Sequence, residues 1–150
     1  MQHYARILVG ADESASAERA ALRAIDVAAF CGASLHVVHI VPRPTVGAPV
    51  GPAGAAAIAR QVATAGALAS QSLAAISRRA DERGVRAQQY VRHDDIAAGI
   101  IAVANEIDAE LIVVGNRGVD PSGRYVLSSV PMTVLYSAPC DVLIVRTTPT

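Results

Sequence analysis

Five short segments of the chain have the hydrophobic pattern of β-strands. Four are continuous apolar runs rich in β-branched residues, which is typical of parallel strands buried on both faces. These runs are residues 7–10, 35–40, 111–115 and 141–145. The fifth segment, RAQQYV at 86–91, alternates between apolar and polar positions and suits a strand at the edge of a sheet. The pattern therefore predicts five strands, of which the third has the weakest signal.

The segments between these strands repeat apolar residues at helical spacing. Ser14 is placed to cap a first helix that ends at Cys31. An apolar stripe from 58 to 76 predicts a second helix that ends at Gly84. The proline- and glycine-rich segment 42–54, which precedes this stripe, is predicted to be a loop.

Two further helices complete the pattern. Apolar residues recur at helical spacing between 96 and 107, and either Asp94 or Asp95 could cap this third helix. The last helix is predicted to begin at Ser129, because a proline such as Pro131 is tolerated in a first turn.

The alternation of strands and helices predicts one α/β domain with a five-stranded, doubly wound, Rossmann-like parallel sheet over residues 1–150. Right-handed crossovers, with the chain reversing direction after the third strand, give the strand order 3-2-1-4-5. Ligands of such sheets bind beyond the carboxyl ends of the strands, at the point where the order reverses. The segments expected to meet at this point are 10–14 and 115–129.

The segment GNRGVDPSGRYVLSS, which follows the fourth strand, has the composition of a phosphate-binding loop. Its glycines let the backbone approach a ligand closely. Ser128 and Ser129 lie at a helix N-terminus, where unpaired N–H groups and the helix dipole favour an anion. Arg117 and Arg124 would add two charges able to cover a phosphate. The alternative is an ordinary surface loop that precedes a capped helix.

Asp12 follows the first strand, on the other side of the predicted cleft. A carboxylate there would accept hydrogen bonds from ribose hydroxyls, as acidic residues do in dinucleotide sites. Its alternative role is to cap the first helix, which Ser14 could also do. Ile40 and Val41, at the end of the second strand, could hold the apolar face of a base.

Composition narrows the classes of function. The 13 acidic residues balance 13 basic ones, so charge does not indicate nucleic acid or an anionic membrane surface as a partner. All the basic residues are arginine, which excludes the P-loop motif and a lysine Schiff base. Cys31 and Cys140 indicate neither a zinc site nor a disulfide framework. With no signal-like N-terminus and no membrane-length apolar stretch, we expect a soluble cytoplasmic protein.

Other candidate sites are weaker. His39 is expected to lie in the core or at a strand end, and His93 in a loop before a helix cap. A hydrolase built from Ser14, His39 and Asp12 would lack the nucleophile elbow G-x-S-x-G. The sequence HDD at 93–95 is too compact for a convincing metal site. No general base is positioned by the sequence, so we do not expect efficient catalysis.

The chain resembles the universal stress protein family. Nucleotide-binding members of that family have, after the fourth strand, Gly, two residues, Gly, nine residues, and then Gly followed by Ser or Thr. Gly115 and Gly118 match this spacing, Ser129 matches the hydroxyl residue, and Ser128 stands where the family has its third glycine. The run ADES after the first strand, VVHIV in the second and APCDVLIVR near the C-terminus are also similar to this family, so the resemblance covers nearly the whole chain.

The resemblance implies a site for ATP or another adenine nucleotide, with Mg²⁺ on the phosphates. Asp12 would contact ribose or base, Ile40 and Val114 would lie near adenine, and amides of the loop and the last helix would hold ribose and phosphates. The implied positions are Gly10, Ala11, Asp12, Ile40, Val114, Gly115, Gly118, Ser129 and Val130. The resemblance also implies a homodimer formed through the last strand.

Ser128 leaves three hypotheses open. If its position requires a positive φ, serine costs about 1–2 kcal/mol there; otherwise the hydroxyl either contacts phosphate or crowds it.

The first hypothesis is a cytoplasmic nucleotide-binding regulatory protein of the stress response. The second is a dimeric stress-response scaffold that binds no nucleotide. The third is a slow ATP hydrolase that acts through phosphate positioning and electrostatics alone.

Overall fold

The computed structural model describes residues 3–12, 14–43, 51–116 and 129–147. Strands and helices alternate along the described chain. The strands are β1 (Arg6–Ala11), β2 (Ser34–Val41), β3 (Ala87–His93), β4 (Leu111–Gly115) and β5 (Asp141–Val145). The helices are α1 (Ala15–Cys31), α2 (Pro52–Glu82), α3 (Ile96–Glu106) and α4 (Ser129–Ser137).

The strands form one parallel sheet in the order β3-β2-β1-β4-β5, which confirms the predicted order. β1 lies between β2 and β4, and its Val9 is in register with Val37 on one side and with Val113 on the other. The chain therefore reverses its direction across the sheet after β3, and the switch point lies between the neighbouring strands β1 and β4. Helices lie on both faces, as in other doubly wound sheets.

The sheet separates two apolar layers. Ile7 and Val9 of β1 contribute to the layer that α1 and α2 cover. Leu8, which lies between them in sequence, contributes to the layer that α3 and α4 cover. Successive side chains of a strand point to opposite faces, so a strand buried on both faces must be apolar at every position. This requirement explains the continuous apolar runs of the central strands.

Local signals place most helix ends correctly. Ser14 caps α1 by accepting a hydrogen bond from the Ala17 amide, 3.1 Å away. Of the two candidate caps for α3, Asp95 is the one that acts, because its carboxylate accepts from the Ala98 amide at 3.1 Å. β3 lies at the edge of the sheet as predicted, but it extends beyond 91 to His93 because β2 pairs with it as far as that residue.

The prediction for α2 was wrong at its N-terminal end. The helix begins at Pro52, inside the segment predicted as a loop, and proline is tolerated there because a first-turn N–H has no partner in the helix. Ile58 and Val62 remain 37% and 43% exposed, and full burial begins only at Ala69. The predicted apolar stripe therefore packs only in its C-terminal part. None of the helices in the described ranges is long and apolar enough to cross a membrane.

Candidate functional site

A cleft opens at the carboxyl ends of β1 and β4, where the strand order reverses. Seven of the twelve predicted site residues line it: Gly10, Ala11, Asp12, Ile40, Val114, Gly115 and Val130. Seven further residues line the cleft and were not among the predicted site residues: Ser14, Ser16, Ala17, Val38, Ile96, Ile100 and Pro131. The cleft therefore lies at the end of the sheet that the topological rule indicated, and it also includes the starts of three helices.

The floor of the cleft is apolar. Ile40 and Val114 come from strand ends and are 7% and 5% exposed, and Ile100 of α3 is 3% exposed. Two glycines permit α3 to pack this closely. A Cβ added to Gly99 would lie 2.6 Å from Cδ1 of Ile40, and one added to Gly10 would lie 3.3 Å from Cδ1 of Ile100. The resulting surface is suited to one face of a planar apolar group.

Asp12 lies at the rim of the cleft, and its carboxylate is oriented by the backbone. Oδ1 of Asp12 accepts a hydrogen bond from the Ser14 amide at 2.7 Å. The Asp12 carbonyl accepts another from the Ser72 hydroxyl of α2 at 3.2 Å. Because Ser14 caps α1, the capping role considered for Asp12 belongs to Ser14 instead. The position of Asp12 beside the apolar floor is compatible with binding of a polar substituent on a planar ligand.

The end of β4 is in close contact with the start of α1. A Cβ added to Gly115 would lie 2.6 Å from Ser16 Oγ and 3.1 Å from the Ser16 carbonyl oxygen, so no larger residue fits without displacement. Asn116, the next residue, continues the ladder by donating its amide to the Val145 carbonyl at 3.0 Å. Its Oδ1 accepts from the amide and the hydroxyl of Thr147, at 3.1 and 2.8 Å.

Neither Asn116 nor Thr147 was among the residues predicted from the sequence. Asn116 offered one signal, since it is a polar residue directly after a buried strand and between the two motif glycines. Thr147 offered none, because it lies outside every predicted strand and helix.

The phosphate-binding part of the prediction falls largely outside the described residues. Arg117, Gly118, Arg124 and Ser128 all lie there, within 117–128. Ser129 begins α4 as predicted but is exposed and does not line the cleft, whereas Val130 and Pro131 of the same turn do.

The described geometry supports neither of the two other sites considered from the sequence, a Ser-His-Asp hydrolase site and a metal site. Ser14 and Asp12 line the cleft, but His39, the histidine of the imagined triad, does not. Among the residues that the structure describes, no group of three or more His, Cys, Asp or Glu side chains could hold a metal ion, and this includes the HDD sequence at 93–95.

Comparison with known proteins identifies similar sequences. The model of the universal stress protein family matches residues 3–146. A universal stress protein of Mycolicibacterium smegmatis is 29% identical over 141 residues, which make up 93% of this chain and 47% of that protein. The chain therefore spans about half the length of this relative.

Solved structures of similar fold are also universal stress proteins. UspA of Lactobacillus plantarum has a TM-score of 0.84 at 22% identity, with 97% of this chain and all of that chain covered. A universal stress protein in complex with cAMP has a TM-score of 0.71 at 28% identity, with 98% and 100% covered. A family member from Arabidopsis thaliana with AMP bound has a TM-score of 0.69 at 17% identity, with 96% and 92% covered.

Proposed function

Because the chain belongs to the universal stress protein family, we propose that it is a cytoplasmic regulatory protein of the stress response that binds an adenine nucleotide. The observation that carries the proposal is the cleft at the point where the strand order reverses, with an apolar floor and one oriented carboxylate at its rim. The similar structure in complex with cAMP supports the choice of an adenine nucleotide.

In the proposed complex, the adenine ring packs on Ile40 and Val114 at the floor of the cleft. This contact supplies apolar burial of the kind that dominates small-molecule sites. Asp12 accepts a hydrogen bond from a ribose hydroxyl, since its carboxylate lies at the rim beside this floor. Gly10 and Ala11 allow the ribose to approach the β1 backbone, because neither has a bulky side chain.

The phosphates are proposed to bind at the start of α4. The amides of Ser129 and Val130 lie in its first turn, where the positive end of the helix dipole favours an anion. The Ser129 hydroxyl and the amide of Gly115 would add further donors. Arg117, Gly118, Arg124 and Ser128 belong to the same proposed phosphate site by their place in the family motif.

The ligand is proposed to be ATP or a related adenine nucleotide, and a triphosphate would bring Mg²⁺ with it. Mg²⁺ commonly binds through substrate phosphates and few protein carboxylates, so it needs no protein cage of its own. Asp12 is the carboxylate that lines the described part of the cleft.

The protein is further proposed to form a homodimer through β5. β5 ends the observed strand order, so one side of its backbone has no neighbouring strand among the described residues. Edge strands of this kind are templates for pairing with another chain.

The test is a calorimetric titration of the purified protein with AMP, cAMP and ATP, the last with and without Mg²⁺. We expect saturable binding of at least one of these nucleotides. Absence of binding of all of them at millimolar concentration would contradict the proposal and favour the scaffold hypothesis. In that case, restored binding in Ser128→Gly would assign the loss to the missing third glycine.

Asp12→Asn tests the proposed ribose contact. Asparagine keeps an oxygen that can accept from the Ser14 amide, so the local backbone should be preserved while the charge is removed. A hydrogen bond to a charged group contributes about 1.5–3 kcal/mol, so we expect affinity for AMP to fall about tenfold or more. The matched control is Asp26→Asn, an exposed carboxylate on α1 that pairs with Arg83. Equal affinity of Asp12→Asn and the unmodified protein would exclude the ribose contact.

A further inference from the structure

Four polar side chains connect the end of β4, the start of α1 and the segment after β5. Thr147 donates to Oδ1 of Asn116 through both its hydroxyl, at 2.8 Å, and its amide, at 3.1 Å. Its hydroxyl oxygen also lies 2.5 Å from Ser16 Oγ. Arg19 of α1 donates to the Thr147 carbonyl. Thr147 is therefore the residue at which all these hydrogen bonds meet.

The network is buried although Thr147 belongs to no strand or helix. Thr147 lies two residues beyond β5. Its exposure is nevertheless only 5%, and that of Asn116 is 9%. Buried polar groups must be hydrogen-bonded to be tolerated, so the bonds between these two residues are mutually required.

The network lies directly behind the cleft. Ser16 and Gly115 both line the cleft, and the Ser16 hydroxyl is in contact with the Thr147 hydroxyl. A Cβ added to Gly115 would lie 3.2 Å from Cγ2 of Thr147, which shows how closely the threonine methyl packs against the β4 backbone. Asn116 is the residue after which the chain continues toward Gly118 of the family motif.

We propose that Thr147 is a positioning residue for the nucleotide site. Its hydroxyl holds the start of α1 through Ser16 and the end of β4 through Asn116. It thereby sets the separation of the two backbone segments that form one wall of the cleft. Thr147 does not itself line the cleft, so it acts only through these neighbours. This inference rests on the proposed function and adds to the site a residue from beyond the last strand.

The central experiment compares Thr147→Val with Thr147→Ser. Valine keeps the branched shape and the methyl packing against Gly115 but removes the hydroxyl, whereas serine keeps the hydroxyl. For AMP binding by calorimetry we expect Thr147→Val to raise Kd about tenfold and Thr147→Ser to stay within about twofold of the unmodified protein. Thr64→Val is the matched control, because Thr64 is an exposed residue of α2 remote from the cleft.

A double-mutant cycle separates positioning from direct contact. If Thr147 acts through Ser16, the double variant Ser16→Ala with Thr147→Val should bind AMP no more weakly than the weaker-binding of the two single variants. If the losses of AMP affinity in the two single variants multiplied in the double variant, Ser16 and Thr147 would act independently, which would overturn the proposal. Should Thr147→Val fail to fold, Asn116→Ser tests the same pair, because it removes the Oδ1 acceptor but keeps the amide bonded to Val145.

The outcomes distinguish this inference from the proposed function. Absence of AMP, cAMP and ATP binding by the unmodified protein overturns the proposed function and the role of Thr147 with it. Binding by the unmodified protein and equal binding by a folded Thr147→Val overturns the inference alone. A lower unfolding free energy of Thr147→Val with unchanged Kd would mean that the hydroxyl is merely structural.

Discussion

His36 of β2 is a buried histidine that interacts with a tyrosine and a serine. It is 5% exposed, its Nδ1 lies 2.9 Å from Oη of Tyr90, and its Nε2 lies 3.2 Å from Oγ of Ser34. Burial, and to a smaller extent the nearby guanidinium of Arg6, lower the pKa of His36 from its usual 6.5. The folded protein therefore disfavours the imidazolium form that the unfolded chain accepts.

This shift predicts a pH dependence of stability. Since the pKa of His36 is lower in the folded state, the unfolded chain binds more protons below about pH 6.5. The free energy of unfolding should fall as pH drops from 6.5 toward the folded-state pKa and become level below it. His36→Gln should flatten this slope in urea unfolding between about pH 5 and 7. His93→Gln, at an exposed histidine of β3, is the control, and an unchanged slope in His36→Gln would contradict the assignment.

A second group titrates outside this pH window. The backbone amides of Ala5 and Arg6 donate to Glu110 and hold the pKa of its carboxyl below the usual 4.5. The contribution of the exposed Glu110 carboxylate to the free energy of unfolding is present above pH 4.5. It is lost as the pH falls through the folded-state pKa of this group. The window between about pH 5 and 7 therefore isolates His36 from Glu110.

At the scale of elements, the contact between α3 and β2 determines the shape of the cleft floor. The contact depends on Gly99, because an added Cβ would lie 2.6 Å from Cδ1 of Ile40 and 3.1 Å from its Cγ1. Ile40 in turn is a lining residue of the cleft. A larger residue at 99 must therefore displace either the helix or the floor.

Gly99→Ala should lower the free energy of unfolding by up to about 2 kcal/mol. Overpacking costs about 1–3 kcal/mol, and the better helix propensity of alanine offsets about 1 kcal/mol of that. Adding Ile40→Val removes the Cδ1 atom, so the double variant should be more stable than the sum of the two single effects predicts. Urea unfolding measures all three variants.

Gly66→Ala is the matched control for this prediction. Gly66 also lies inside a helix, α2, but a Cβ there would meet nothing within 4 Å. Alanine should therefore stabilise the protein by up to about 1 kcal/mol at this position. If both variants gained stability equally, the contact between Gly99 and Ile40 would not be restrictive.

For the whole molecule, the proposed dimer depends on the side of β5 that pairs with no other strand of the described chain. The Val145 carbonyl accepts from Asn116 of the β4 side. Because backbone groups alternate in direction along a strand, the N–H of Val142 is directed away from β4. Pairing with a second copy would use this N–H.

Val142→Pro should therefore yield monomers at concentrations where the unmodified protein is dimeric. Proline removes the outward N–H and leaves the bonds toward β4 in place. Val142→Thr keeps both the N–H and the branched shape and should remain dimeric. Analytical ultracentrifugation measures the masses, and a dimeric Val142→Pro protein would exclude β5 pairing through this residue.

The order of elements could be predicted from the sequence because its signals are local. Apolar runs mark the strands, and caps such as Ser14 and Asp95 mark helix starts within a few residues. Right-handed crossovers, together with a reversal of direction after β3, then give the strand order that is observed. The rule that ligands bind at the switch point then predicted one cleft for Asp12, which follows β1, and Gly115, which ends β4.

Only the tertiary structure decided which part of a helix packs against the sheet and which residues distant in sequence are in contact. The apolar stripe of α2 does not reveal that burial begins at Ala69. Gly99 is identified as restrictive only by the position of Ile40 on another element. Ser16 and Thr147 are separated by 131 residues, yet their hydroxyls are 2.5 Å apart. Such contacts depend on the packing of complete elements, so no local pattern in the sequence could predict them.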